Sequence, residues 1–403
     1  MVGKMSPKLS SNSSPSTKLA LVLDVGTTGV RAVVFDQGYN VISRAYKKLK
    51  RSTPKLGWVE QSPLEILNSS KLVLRQVVRK VGLPAKSYVG FGLTNQRESS
   101  ILWDSHTGRS VYPSLVWQDS RTKGECNKLE KKYGQDVRQK TGLAIDSYFS
   151  ASKIGWVLQN VPKARSLLGQ GRLRFGTVDS WLIWYLLENN PHLTDYTNAS
   201  RTLLFNIKTL RWDKNLLDIF NIPKFVLPKV KASRASFGIL KKDVVGFTLP
   251  TVSVIGDQQA SSYAAGSKPG TTKVTFGTGA FAVQVLGKRF VIHKPLFTTL
   301  VPNQKGSGKP LYAVEGKISD CGARFEKVLK NPAAFRKLSH VMALEVNTFM
   351  KLLPKKPKEL IVDGGVVRDG PLPDVLAKVT GIPVKKQAIP DGTALGVAKL
   401  IIN

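Results

Sequence analysis

Cysteine is nearly missing from these 403 residues: Cys126 and Cys321 are the only two, and neither belongs to a CxxC pair. That argues against a disulfide framework and against paired-thiol zinc modules. No stretch approaches the roughly 18 consecutive apolar residues of a membrane-spanning helix. Residues 1–18 are rich in Ser, Lys and Pro and contain no apolar core, so a disordered tail is expected there rather than a secretory leader. With so little cysteine, the cytoplasm is the natural compartment. Acidic residues are scarce too: 27 Asp and Glu stand against 61 Lys and Arg, a formal charge of +34. Such an excess attracts anions in general. It is spread along the whole chain, however, and its short clusters at residues 47–51 and 355–358 carry no interleaved aromatics for stacking bases. A solvated, Lys-rich surface is expected, with no specific nucleic-acid partner. Two familiar phosphate-binding signatures are also missing, GxxxxGK[ST] and the HRD…DFG set.

What is present begins with LALVLDVGTTGVRAVVFD, residues 19–36. An apolar run, a Gly/Thr turn and a second apolar run spell a tight hairpin. The pattern returns about 250 residues later as TKVTFGTGAFAVQVL. Two such hairpins suggest a duplicated architecture with one phosphate-handling turn in each domain. A chain of this length suits two domains of ordinary size. Between the hairpins, helical runs at 63–81, 122–141, 153–160 and 179–188 alternate with short strands such as 88–94, an α/β pattern. A boundary is expected near Pro250, where residues 251–256 begin a fresh buried strand, giving units of 19–250 and 251–403.

Three constellations carry candidate chemistry. Asp24 ends a strand, where a carboxylate can hold Mg²⁺ directly or through water. The turn Gly26-Thr27-Thr28-Gly29 offers amides and hydroxyls to phosphate oxygens, and Arg31 adds a cation. As a lone hairpin turn this would be plain structure; its repetition gives it weight. Asn95-Gln96-Arg97-Glu98 also follows a strand. Adjacent opposite charges there usually make a surface ion pair, but Arg97 and Glu98 also supply the donors and acceptors that a small polyol needs. Asp257 and Gln258 follow another strand and open a helix. Asp257 reads either as a helix N-cap or as a carboxylate poised to take a hydroxyl proton, with Gln258 as a second hydroxyl partner. Trp117 and Tyr148, taken singly, are ordinary core aromatics.

These segments, together with SLVWQDSRT, FGTVDSWLIW, TDYTNASRTLLFNI, GDQQAS and TFGTGAF, occur in one order that resembles the FGGY carbohydrate kinases. YFSASKIGWVLQN, residues 148–160, fits a signature of that family, and the likeness runs from about residue 19 to 326. The Asn-Gln-Arg-Glu run resembles the members that take glycerol. The resemblance implies an α/β, two-domain actin-like ATPase (ribonuclease H-like) fold with an interdomain cleft, in which ATP phosphorylates glycerol. By position, Arg97, Glu98, Tyr148, Asp257 and Gln258 would grip the hydroxyls, and Trp117 and Phe281 would cover the carbons. Asp257 would be the general base, and Asp24 would help place Mg²⁺. Thr27, Thr28, Gly29, Arg31 and Thr278 would meet the phosphates; Gly322, Glu326, Gly365 and Asp369 would lie nearer the nucleoside. The sequence is silent on oligomeric state and leaves a homo-oligomer open.

The likeness has two departures. Glu326 and Asp369 stand where the family usually has amides. Only 36 residues separate Glu326 from Asp363, so a long family segment is absent there, and the final helical segment is missing as well. An impaired relative that binds polyol or nucleotide as a sensor is therefore the alternative reading.

Overall fold

The computed structural model describes residues 18–277, 279–367, 370–387 and 391–403. The expected tail, Lys18 aside, lies outside them. Two six-stranded mixed sheets form the frame. The first contains β1 (Leu19–Val25), β2 (Gly29–Phe35), β3 (Val41–Lys48), β4 (Tyr88–Asn95), β5 (Arg234–Leu240) and β6 (Leu249–Gly256). The second contains β7 (Thr272–Phe276), β8 (Gly279–Gly287), β9 (Phe297–Val301), β10 (Leu311–Asp320), β11 (Leu360–Asp363) and β12 (Val384–Lys386).

The orders are β5-β6-β4-β1-β2-β3 and β9-β10-β8-β7-β11-β12. Within them, β6-β4-β1-β2-β3 repeats as β12-β11-β7-β8-β10. In each case a hairpin adds an antiparallel strand on one side and two parallel strands on the other. The duplication read from the two Gly/Thr turns is therefore real. Each turn is closed by its leading glycine: Gly26 N–H donates to Gly29 O, three residues on, at 3.0 Å, and Gly277 N–H to Gly279 O, two residues on, at 3.1 Å.

Local signals explain the elements. β1 and β2 both lie inside their sheet and are buried along nearly their whole length, so they read as continuous apolar runs instead of alternating ones. Helix α1 (Pro63–Val81) starts with Ser62 accepting from Glu65 N–H and Pro63 in the first turn. It stops at Gly82, whose left-handed φ of 66° returns its N–H to Val78 O. Between β4 and β5 lie α2 (Lys123–Thr141), α3 (Ser150–Asn160) and α4 (Val178–Leu186). They pack partly on the first sheet and partly around a separate core containing Val137, Phe149, Ile154 and Phe175. The second sheet is covered by α7 (Pro332–Lys351) and α8 (Leu372–Thr380), with short α6 (Gly322–Glu326) beside them.

The expected boundary near Pro250 does not follow the sheets. β6 pairs in parallel with β4, so the first sheet continues to Gly256. Helices α5 (Asp257–Ala265) and α9 (Gly392–Ile402) also pack on it, with Ala260, Val397 and Ile401 joining the core of Ala20, Val22 and Phe35. Gly396 permits this: a Cβ there would stand 1.9 Å from Ala260 O. Among the described residues no helix is long and apolar enough to cross a membrane.

Candidate active site

β4 and β6 are parallel neighbours ending at Asn95 and Gly256, so residues 96–98 and Asp257 emerge side by side. Carboxyl ends of parallel strands are where α/β sheets form crevices. A buried polar segment fixes both ends. Asn95 Nδ2 donates to Asn198 Oδ1 at 3.0 Å, and Gly256 N–H donates to Thr197 Oγ1 at 2.8 Å. Asp195 in turn accepts from the N–H groups of Thr197 and Asn198.

Arg97 and Glu98 are 2% and 1% exposed, so theirs is no surface ion pair. Arg97 Nε donates to Asp257 Oδ1 at 3.1 Å. Its two terminal nitrogens donate to the two oxygens of Glu315 at 2.7 and 2.9 Å. Arg201 Nε donates to Glu98 Oε1 at 2.6 Å and its Nη2 lies 3.1 Å from Glu315 Oε1. Asp257 is not the N-cap, a place Gly256 takes. It opens α5 with its carboxylate turned to Arg97 and to the N–H of Gln258 at 2.7 Å. Gln258 itself is partly buried beside it.

Trp117, Tyr148 and Phe281 form one aromatic wall with edge-to-face rings, 5.6 Å between the first two and 6.2 Å from Trp117 to Phe281. Trp117 Nε1 donates to Thr27 Oγ1 at 2.8 Å. Thr27 is consequently buried and faces the aromatic wall, whereas Thr28 is exposed toward the neighbouring cavity. Burial pushes the Asp257 carboxyl up to about 7; Arg97 opposes this, and Glu98 and Asp24 add to it. Asp24, at the end of β1, is likewise raised by burial and by Asp391, with Arg31 opposing.

A cavity of about 870 Å³ opens next to the turns. Thr28, Gly277, Gly322, Glu326 and Gly365 line it, with Phe325, Phe335, Val366 and Pro371 as apolar walls and Arg51 and Arg336 as cations. Gly29 lies under the exposed ring of Tyr46, which a side chain there would have to push aside. Arg31 is paired with Asp391 at the start of α9. Thr278 and Asp369 lie outside the described residues. The structure thus gathers Arg97, Glu98, Trp117, Tyr148, Asp257, Gln258 and Phe281 in one place and Thr28, Gly322, Glu326 and Gly365 in another.

Sequence reasoning missed Glu315 and gave Arg201 no role. Glu315 had a readable signal: a lone acid in the apolar strand LYAVEG. Its partner could not be read, being 218 positions away.

Two α/β bodies with the same strand order, meeting at a cleft with a Gly/Thr turn from each, define a two-domain kinase architecture. The chain belongs to the FGGY family of carbohydrate kinases: residues 19–264 match the profile "FGGY family of carbohydrate kinases, N-terminal domain". Glycerol kinase 2 of Thermotoga maritima is 36% identical, with 95% of this chain and 89% of that protein covered. That alignment runs over 444 positions, more than this chain has residues, so the relative carries segments absent here. The glycerol kinase of Burkholderia pseudomallei is 43% identical over 80% of this chain, which spans 65% of that protein's length. The crystal structure of Plasmodium falciparum glycerol kinase with ADP superposes with a TM-score of 0.85 at 27% identity, covering 95% of this chain and 88% of that one.

Proposed function

We propose that this chain transfers the γ-phosphoryl group of ATP to glycerol, giving ADP and sn-glycerol 3-phosphate. The observation that carries the reading is the buried Arg97 fork between Asp257 and Glu315, set under the Trp117–Tyr148–Phe281 wall. Aromatic faces suit the carbons of a three-carbon polyol, and the charged groups beneath suit its hydroxyls. The adjoining cavity, with apolar walls and a glycine turn from each body at its edge, suits a nucleotide.

In this reading a glycerol hydroxyl oxygen attacks the γ-phosphorus in line. The bond from that phosphorus to the ADP oxygen breaks, and the hydroxyl proton passes to Asp257. A carboxyl near 7 is matched to this work at neutral pH. The remaining groups position and neutralise. Asp24 is raised by Asp391 and adds to the rise of Asp257, so a cation near Asp24 would relieve like-charge repulsion. Among the described residues no group of three or more His, Cys, Asp or Glu forms a metal cage. Mg²⁺ needs only one or two carboxylates, since it keeps waters and phosphate oxygens around it. When bound there it would neutralise phosphate charge. We place the enzyme in the cytoplasm.

Coupled ADP release over glycerol, erythritol and dihydroxyacetone tests the proposal. Turnover highest with glycerol is expected. No turnover, with glycerol still raising the melting temperature, would replace this reading by that of an impaired polyol-binding relative.

A further inference from the structure

The four-residue cluster under the acceptor site spans the cleft. Arg97 and Glu98 follow β4, and Arg201 follows the buried Asp195–Asn198 segment; all three belong to the first body. Glu315 comes from the middle of β10 in the second. It is 1% exposed, accepts two hydrogen bonds from Arg97 and forms an ion pair with Arg201 Nη2 at 3.1 Å. No other carboxylate in the cluster touches both guanidinium groups through such short contacts. Glu98 is at 2.6 Å from Arg201 but 3.9 Å from Arg97.

We propose that Glu315 is the positioning residue of the acceptor site, holding Arg97 against Asp257 from across the cleft so that the grip on glycerol forms only when the second body is docked. This rests on the glycerol-kinase reading. A guanidinium bound at both terminal nitrogens has its plane fixed, and Nε is left aimed at Asp257. Withdrawal of the second body would remove that fork and leave Arg97 with Asp257 and the longer contact to Glu98 alone. Burying two arginines so close together also requires their charges to be matched. Burial by itself would raise the Glu315 carboxyl, yet Arg201 and Arg97 hold it below the ordinary range, so it stays ionised.

The charge balance gives a readout that loss of packing would not. Asp257 faces Arg97, Glu98, Asp24 and the N–H of Gln258. Neutralising Glu315 leaves Arg97 and Arg201 less compensated, which favours ionised Asp257. Wild type is first assayed for glycerol turnover; its absence would end the functional reading and is a separate outcome from any behaviour of the Glu315 variants.

Given turnover, Glu315→Gln is expected to lower kcat/KM for glycerol about a hundredfold. It should also move the rising limb of the pH profile down by about one pH unit. Adding Arg201→Gln restores the balance, so the limb of the double variant should return toward wild type while KM stays high. Glu315→Asp keeps the charge and shortens the reach, so it should raise KM with the limb in place; it also decides the matter if Glu315→Gln does not fold. A wild-type KM in Glu315→Asp, or an unmoved limb in a folded Glu315→Gln, would overturn the proposal.

Discussion

Between β4 and β6 the first body carries α2, α3, α4 and a second buried core; between β11 and β12, at the equivalent place in the repeat, the described residues of the second body form one short 3-10 turn (Gly365–Val367) and α8. Trp117, Tyr148 and Arg201 all come from the longer connection. The repeated strands therefore supply what both bodies share, a glycine turn at a cleft. The inserted material adds Trp117, Tyr148 and Arg201, and the repeated strands of the second body add Phe281 and Glu315 to the same cluster. On the proposed reading, the acceptor site is shared between the inserted connection and the repeated strands. A smaller body buries a smaller fraction of its surface, yet the equivalent helices expose similar apolar side chains. Val341 and Leu344 on α7 are 37% and 48% exposed, while Leu64 and Leu72 on α1 are 60% and 41% exposed. What the second body lacks is depth of cover, not a covered face.

The largest test of the contrast is at the acceptor end. Asp257→Asn should cut kcat by about 10²–10⁴-fold while glycerol binding falls moderately, because the amide keeps one acceptor oxygen. Near wild-type turnover in an ADP-release assay would reduce Asp257 to a first-turn residue. The next test compares the bodies by hydrogen exchange. Residues 272–386 should open before the first sheet. ATP with Mg²⁺ at about a hundred times its Kd should slow their exchange about a hundredfold, equivalent to roughly 2.7 kcal/mol. Equal protection in both, unmoved by nucleotide, would erase the contrast.

A smaller effect is expected from pH. As the proposed base, Asp257 would have to be ionised to accept a proton, and burial pushes its carboxyl up to about 7. Turnover should therefore fall about tenfold for each unit below pH 7 and level off above it, read from a pH–rate profile. The smallest effect separates surface from cover. Leu64→Gln and Leu344→Gln should each change unfolding free energy by no more than about 0.5 kcal/mol in urea titrations. A much larger loss at Leu344 alone would mean that α7 packs against something α1 does not.

Most of the first body was legible because its signals are local. The β1–β2 hairpin, the capped ends of α1 and the strand ending before Asn95 each depend on a few neighbouring residues. The placement of Thr27 was not legible. Both threonines of the turn looked equally ready for phosphate, and the indole of Trp117, 90 positions away, takes one of them. The boundary at Pro250 failed for a related reason. A buried parallel strand reads the same whether it opens a new sheet or completes an old one, and its partner β4 lies far back in the chain. The residues expected at the acceptor were grouped through motif order, and they do lie together around Arg97 and Trp117. Their joining through Glu315 depends on the two bodies meeting, which no local pattern records.

The return of α9 to the first sheet has a mechanical meaning. Gly396 meets Ala260, and Lys399 Nζ donates to Ala264 O at 2.9 Å, so α5 and α9 run side by side in the same direction. The second body leaves from the far end of α5 and rejoins at the near end of α9. The two tethers are thus separated by about the length of nine helical residues, roughly 13 Å. Two anchor points so spaced define a line. A body held on such a line is freer to swing about it, like a door on two pins, than to slide or twist. Glu315, joined through Arg97 to Asp257 at the start of α5, sits close to that line.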